Sequence, residues 1–228
     1  MEKQQHNVYN LIILDESGSM DAIKSATIRG CNEIVETIKD VEKRFPEQKH
    51  FISFVTFNGK GIKEILWNEE VSKLNPINAR LYNPTMSTPL YDAIGTSLSR
   101  LKEDLPSDVT CNVLVTILTD GEENSSSNYS HAEVKKMIDE LKTGSWTFAY
   151  IGANHDVEAT AVGLSITNTL RFESNEEDVS LMFARERNAR NLMAERMSTM
   201  NMNEPVAFNT SYYADPDDKK KGRGKKKK

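Results

Sequence analysis

Two apolar runs in this 228-residue chain end in an aspartate. Leu11-Ile12-Ile13-Leu14 leads into Asp15, and Thr116-Ile117-Leu118-Thr119 leads into Asp120. Near-continuous apolar runs of this kind mark strands covered on both faces, and in an open parallel sheet the carboxyl ends of the strands border the ligand crevice. Both carboxylates are therefore expected on one edge of a sheet. Asp15 opens the run Asp15-Glu16-Ser17-Gly18-Ser19. Positions 15, 17 and 19 alternate with 16 and 18, so an extended loop turns three oxygen-bearing side chains to one side, and Gly18 permits a tight bend before a helix. Oxygen-only ligands suit a hard cation. Mg²⁺ takes six oxygens and usually keeps some waters. No Cys or His belongs to the set, which argues against zinc or copper. Two carboxylates match the charge of a divalent ion, and hydroxyls supply the remaining protein ligands. The metal then stays electron-poor, with an exchangeable position for a carboxylate from outside.

On these residues the chain resembles the von Willebrand factor A family and its metal-ion-dependent adhesion site (MIDAS). That signature is an Asp-x-Ser-x-Ser loop after the first strand, then a distant Thr, then a distant Asp. Asp15, Ser17 and Ser19 match the first element, Thr88 in Ser-Thr-Pro-Leu-Tyr-Asp-Ala the second, and Asp120 in Leu-Thr-Asp-Gly the third. Thr85 is a weaker rival for the threonine role, because no proline follows it. The resemblance runs from about Val8 to Phe172, and Tyr150-Ile151-Gly152-Ala153-Asn154 is similar to bacterial and phage members. It implies a Rossmann-like fold, not an enzyme but a protein-binding module. Mg²⁺, with Mn²⁺ or Ca²⁺ able to stand in, captures an Asp or Glu of a protein partner. It also implies that Ser17 and Ser19 bind the metal directly, that Asp15 and Asp120 act through water, and that Thr88 binds directly in a high-affinity form. The chain departs from the family at Met86-Ser87, where Gly-Gly is usual. That departure bears on the shape of the loop and not on the ligand set.

The elements that must position these residues are legible as period and punctuation. Strands are expected at Val8–Leu14, Phe51–Phe57, Val113–Thr119, Trp146–Ile151 and Thr169–Phe172, with Ile62–Leu66 folding back after the Asn58-Gly59 turn as an antiparallel edge. Helices are expected over 21–44, from Leu90 to Leu101 behind a Thr88-Pro89 start, from 131 to Lys142 behind the Ser130-His131-Ala132-Glu133 capping box, over Asp156–Leu164, and over 176–200. Residues 67–87 read as irregular, with breaks at Pro76 and Pro84. The methionine-rich stripe of the last helix reads as core packing. The alternation gives an α/β fold, a Rossmann-like three-layer sandwich with a mostly parallel central sheet, one antiparallel edge strand and helices on both faces. Residues 1–200 are expected to form the domain and 201–228 a flexible tail with a lysine-rich end.

Charge divides the chain unevenly. The net charge is −5, but residues 219–228 alone carry eight Lys and Arg, which leaves −13 on the first 218 residues. The body should repel nucleic acid, and the tail is the segment able to contact nucleic acid or an acidic protein. Glu122, Glu123 and the serine-rich 125–130 read as a solvated rim loop, able to influence partner choice. Cys31 and Cys111 match no metal or redox spacing and read as free thiols. No secretion signal is visible in the sequence, and no apolar run is long enough for a transmembrane segment, which points to a cytoplasmic setting. A Mg²⁺-dependent phosphatase of the haloacid-dehalogenase type also places an Asp after its first strand. It needs a second Asp two residues on as general acid, and Ser17 stands there.

Overall fold

The computed structural model describes residues 5–106, 111–153, 156–199, 207–209 and 211–213. Its elements run β1 (His6–Asp15), a 3₁₀ turn (Gly18–Ile23), α1 (Lys24–Arg44), β2 (Gln48–Asn58), β3 (Gly61–Glu70), a 3₁₀ turn (Val71–Lys73) and α2 (Leu90–Asp104). Then follow β4 (Cys111–Thr119), α3 (His131–Leu141), β5 (Trp146–Gly152), α4 (Val157–Gly163), β6 (Asn168–Arg171) and α5 (Glu176–Ser198). One six-stranded sheet forms in the order β3-β2-β1-β4-β5-β6. All pairings are parallel except β2 with β3. The strand order reverses between β1 and β4, and those two strands lie side by side.

Alternation along the strands divides the core. Tyr9, Leu11 and Ile13 of β1, with Val113, Val115 and Ile117 of β4, pack against α2, α3 and α4. Ile12 and Leu14 of β1, with Leu118 of β4, pack against α1 and α5. The architecture is the expected three-layer sandwich with an antiparallel edge at β3. Helix α1 approaches α5 so closely that a Cβ on Gly30 would fall 1.9 Å from the Phe183 ring. Two local expectations shift. The first turn of the 21–44 helix is a separate 3₁₀ segment from Gly18. Strand β3 continues through Trp67 to Glu70, into the stretch expected to be irregular. Its Trp67 indole is covered by the Arg100 guanidinium and donates to Asp104, so the edge strand is clamped to α2.

The stripe on α5 is core, with Val179, Met182, Phe183, Ala189, Met193 and Met197 buried. Met200 lies outside the described residues. The same buried face also carries Glu186 and Arg190. Arg190 pairs through Nε with Glu186 Oε1 at 3.0 Å, and its two terminal nitrogens donate to Asn10 Oδ1 and Thr116 Oγ1. Glu186 also accepts from the hydroxyls of Tyr212 at 2.9 Å and Tyr213 at 2.6 Å. Phe208 and Tyr212 are buried against α5 and the sheet. Packing thus continues past the boundary expected at residue 200, and the described part of the presumed flexible tail covers the N-terminal end of the strands. The lysine-rich residues 219–228 lie outside the described residues. Removing one partner of a buried ion pair leaves the other charge uncompensated, at a cost of about 3–5 kcal/mol. Glu186→Ala should lose that much stability in urea denaturation, and Tyr213→Phe about 1.5–3 kcal/mol. A chain ending at residue 200 should be less stable than Tyr213→Phe. Equal stability of the shortened and full chains would show that residues 207–213 are an appendage.

Candidate metal centre

The reversal of strand order places the ends of β1 and β4 together, and both aspartates stand there, fully buried. Asp15 is the last residue of β1 and Asp120 the first after β4. Each oxygen of the Asp15 carboxylate has a donor. Oδ1 accepts from the Ser17 backbone N–H at 2.6 Å, and Oδ2 accepts from the Thr119 hydroxyl at 2.6 Å. Burial pushes the Asp15 carboxyl up to about 6, against the pull of the Thr119 and Ser17 hydrogen bonds and with a further push from the negative charge of Asp120. Ser19 Oγ lies 3.2 Å from Ser17 Oγ and donates to Asp120 Oδ1 at 2.6 Å, which ties the β1 loop to the end of β4.

Thr88 arrives from the loop before α2 and is buried. Its Oγ1 and the Ser19 Oγ both stand 3.6 Å from the point where a Cβ on Gly121 would lie, so the two hydroxyls flank the residue after Asp120. Thr88 was expected to start α2, yet no side-chain cap forms at that helix. The exposed N–H groups of its first turn are met from elsewhere. Tyr91 N–H donates to Glu123 Oε2 and Asp92 N–H to Ser126 Oγ. This leaves the Thr88 hydroxyl beside Gly121 while its backbone is held twice by Asn124. The five residues Asp15, Ser17, Ser19, Thr88 and Asp120 are thus brought to one edge of the sheet. Thr85 serves differently, donating its backbone N–H to Glu16 O.

Several supporting residues were not visible in the sequence as such. Glu16, between two site residues, is 3% exposed and faces away from them. Its carboxylate accepts from Thr56 Oγ1, Lys63 Nζ and the Asn83 N–H, and so pins the loop after β1 to β2, β3 and the loop before Thr88. Thr119 orients Asp15 and also accepts from Gly121 N–H. Glu123, expected in a solvated loop face, accepts from the N–H groups of Ser125, Ser126 and Tyr91. Asp92 of α2 returns the clasp by accepting from the N–H groups of Ser127, Asn128 and Tyr129. The serine-rich rim is therefore fastened to α2. Beside it a polar cleft of about 350 Å³ opens between Ser87, Lys60, Ser125 and Asn128. A glycine at 86 would have suited the loop, because Met86 holds a left-handed backbone at φ +67°.

Among the described residues, no group of three or more His, Cys, Asp or Glu is arranged to hold a metal. A cation here would rest on two carboxylates and three hydroxyls, and that donor set fits a hard ion. Burial raises Asp15, with a smaller push from the neighbouring Asp120, and a cation at the site would relieve both. No helix of the described residues is long and apolar enough to cross a membrane.

A family model described as von Willebrand factor type A domain matches residues 11–185. Similar solved structures include the PilB minor pilin from Streptococcus sanguinis, at 14% identity and TM-score 0.57, covering 85% of this chain and 63% of that one. Another is proximal thread matrix protein 1 from the mussel byssus with a zinc-occupied MIDAS motif, at 13% identity and TM-score 0.54, covering 84% and 46%. A von Willebrand factor type A protein from Catenulispora acidiphila aligns at 17% identity and TM-score 0.51, covering 82% and 43%. The chain spans less than two thirds of each of these longer proteins. A search of curated proteins returns no match.

Glu16 generates a test of how the site is held. Glu16→Ala leaves three donors facing a buried gap and should cost about 2–4 kcal/mol in denaturant unfolding. Amide exchange at Asn83 should quicken, since its N–H loses its acceptor. An unchanged exchange rate there would mean that the loop before Thr88 is held by something else.

Proposed function

The chain belongs to the von Willebrand factor type A domain family, and from that premise we propose that it is a metal-dependent protein-binding module. In this reading Ser17, Ser19, Thr88, Asp15 and Asp120 would hold Mg²⁺, the two serines directly, the two aspartates through water, and Thr88 directly in a high-affinity form. When bound, the ion supplies a positive centre with one exchangeable position, which accepts an Asp or Glu carboxylate of the partner. The observation that carries the reading is the convergence of five oxygen side chains from three separate loops, with Ser19 bonded to Asp120 across the β1–β4 seam. The zinc-occupied MIDAS of the mussel protein supports a divalent ion in a domain of this fold. Mn²⁺ and Ca²⁺ are expected to substitute.

The rest of the site prepares the ion's place and the partner's approach. Thr119 and the Ser17 N–H fix both oxygens of Asp15, so its orientation is set before any ion arrives. Asn124 fixes the backbone of Thr88. The clasped rim and the polar cleft beside Ser87 present a shaped surface to the partner's flanking residues. We assign no enzymatic role. Ser17 stands where a phosphatase of the alternative type needs a carboxylic acid, and a hydroxyl is a poor general acid. We extend the reading to a domain of residues 1–200 completed by the packing of Phe208, Tyr212 and Tyr213, a cytoplasmic setting within a bacterial or phage assembly, and a basic tail that contacts acidic protein or nucleic acid. The +8 charge of residues 219–228 beside a body of −13 supports the last point.

Mg²⁺ that binds only the folded chain stabilises it by about 2.7 kcal/mol at one hundred times its dissociation constant. The melting temperature should therefore rise with Mg²⁺ and fall back with EDTA, and Asp120→Ala and Asp15→Ala should abolish the response. A pulldown with the full chain should recover its partner only with Mg²⁺ and not with Asp120→Ala. Equal recovery with and without chelator rejects the reading.

A further inference from the structure

Among the described residues four large apolar side chains are notably exposed: Leu81, Met86, Val162 and Leu181. Two of them, Leu81 and Met86, lie on the stretch between β3 and α2 that delivers Thr88. Met86 is the more unusual. It is 57% exposed, and its backbone is left-handed at φ +67°. A side chain with a Cβ is disfavoured in that conformation, which glycine or asparagine adopts at little cost. The loop cannot drift to relieve it, because Met86 O accepts from Gly18 N–H at 3.0 Å inside the serine-bearing turn. The neighbouring hairpin leaves room for the bulk. A Cβ on Gly59 would stand 3.1 Å from Met86 Cβ and 2.6 Å from Ser87 Oγ. The chain thus holds a strained backbone, and makes space beside it, for a side chain that packs mainly into solvent.

Strain at a position where the side chain gains little burial points to a role outside the fold. We infer that Met86 is a partner-contact residue, an apolar platform two positions from Thr88. It selects a protein segment in which the captured acidic residue is flanked by a large apolar side chain. The inference rests on the metal-capture reading of the adjacent site. Methionine suits the task, since its unbranched thioether adapts to the shape of an aliphatic or aromatic neighbour. The acid would provide metal dependence, and the flanking apolar group would provide preference among acidic segments.

The test is a titration followed by the amide resonances of the full chain in saturating Mg²⁺. The probes are two capped pentapeptides, Gly-Gly-Asp-Gly-Gly and Gly-Leu-Asp-Leu-Gly. The wild-type chain should bind the leucine peptide about fivefold more tightly, as expected from partly covering one aliphatic side chain. In Met86→Gly, and in Met86→Asn as a second variant suited to the same backbone, that preference should disappear. Met86→Gly should melt no lower than wild type. A preference that survives both substitutions, or equal binding of the two peptides by wild type, overturns the inference and leaves metal capture standing. A clear fall in the melting temperature of Met86→Gly also overturns it, by giving the side chain a structural role. Binding of neither peptide with Mg²⁺ present overturns the capture reading and this inference together.

Discussion

The hydrogen bond from Ser19 to Asp120 joins two segments a hundred residues apart, and the arrangement of the site depends on it. It is possible only because β1 and β4 are neighbours at the reversal of strand order. There the helices that follow the two strands leave on opposite faces of the sheet, and a crevice opens between them. Both strand ends carry an acid into that crevice. Burial disfavours the charged form of Asp15, and the neighbouring Asp120 adds to that. The hydroxyls of Ser17, Ser19 and Thr119 and the Ser17 N–H are the neutral donors that hold the pair in place.

Much of this was legible in the chain itself. The strands could be read because a strand covered on both faces shows an almost unbroken apolar run, and the acids that terminate β1 and β4 follow directly from those runs. The capping box at Ser130 was legible because both of its partners are local, and the structure has both hydrogen bonds. Thr88 came from resemblance, since nothing in its own neighbourhood distinguishes a ligand from a helix cap. The structure separates the two by capping α2 from the loop after β4.

What escaped the sequence is the buried polar partnership between distant residues. Glu123 read as part of a solvated rim, and nothing local marked Glu16, Asp92, Glu186 or Arg190 as buried, because such side chains ordinarily favour water. Each is instead held by groups far away in the chain, and period alone cannot reveal that. Glu186 and Arg190 even keep helical spacing with the apolar stripe of α5, so they sit on its buried face as a paired exception. Tyr212 and Tyr213 complete that pair, and no pattern in 201–228 announces it. The sheet thus carries two opposite designs. At its C-terminal edge like charges are crowded together, and over the middle of one face, where Arg190 reaches Asn10 and Thr116, opposite charges are matched.

The reciprocal clasp between α2 and the segment 123–129 also limits where such a domain can be diversified. Glu123 and Ser126 complete the first turn of α2, while Asp92 of that helix completes the turn of the loop. Inserting residues into this segment would uncap the helix that follows Thr88. The tip of the β2–β3 hairpin is tied in its own way, since Gly59 abuts Ser87 and Met86 and Gly61 holds φ +115°. Neither the rim nor the hairpin can lengthen there without moving the residues next to Thr88.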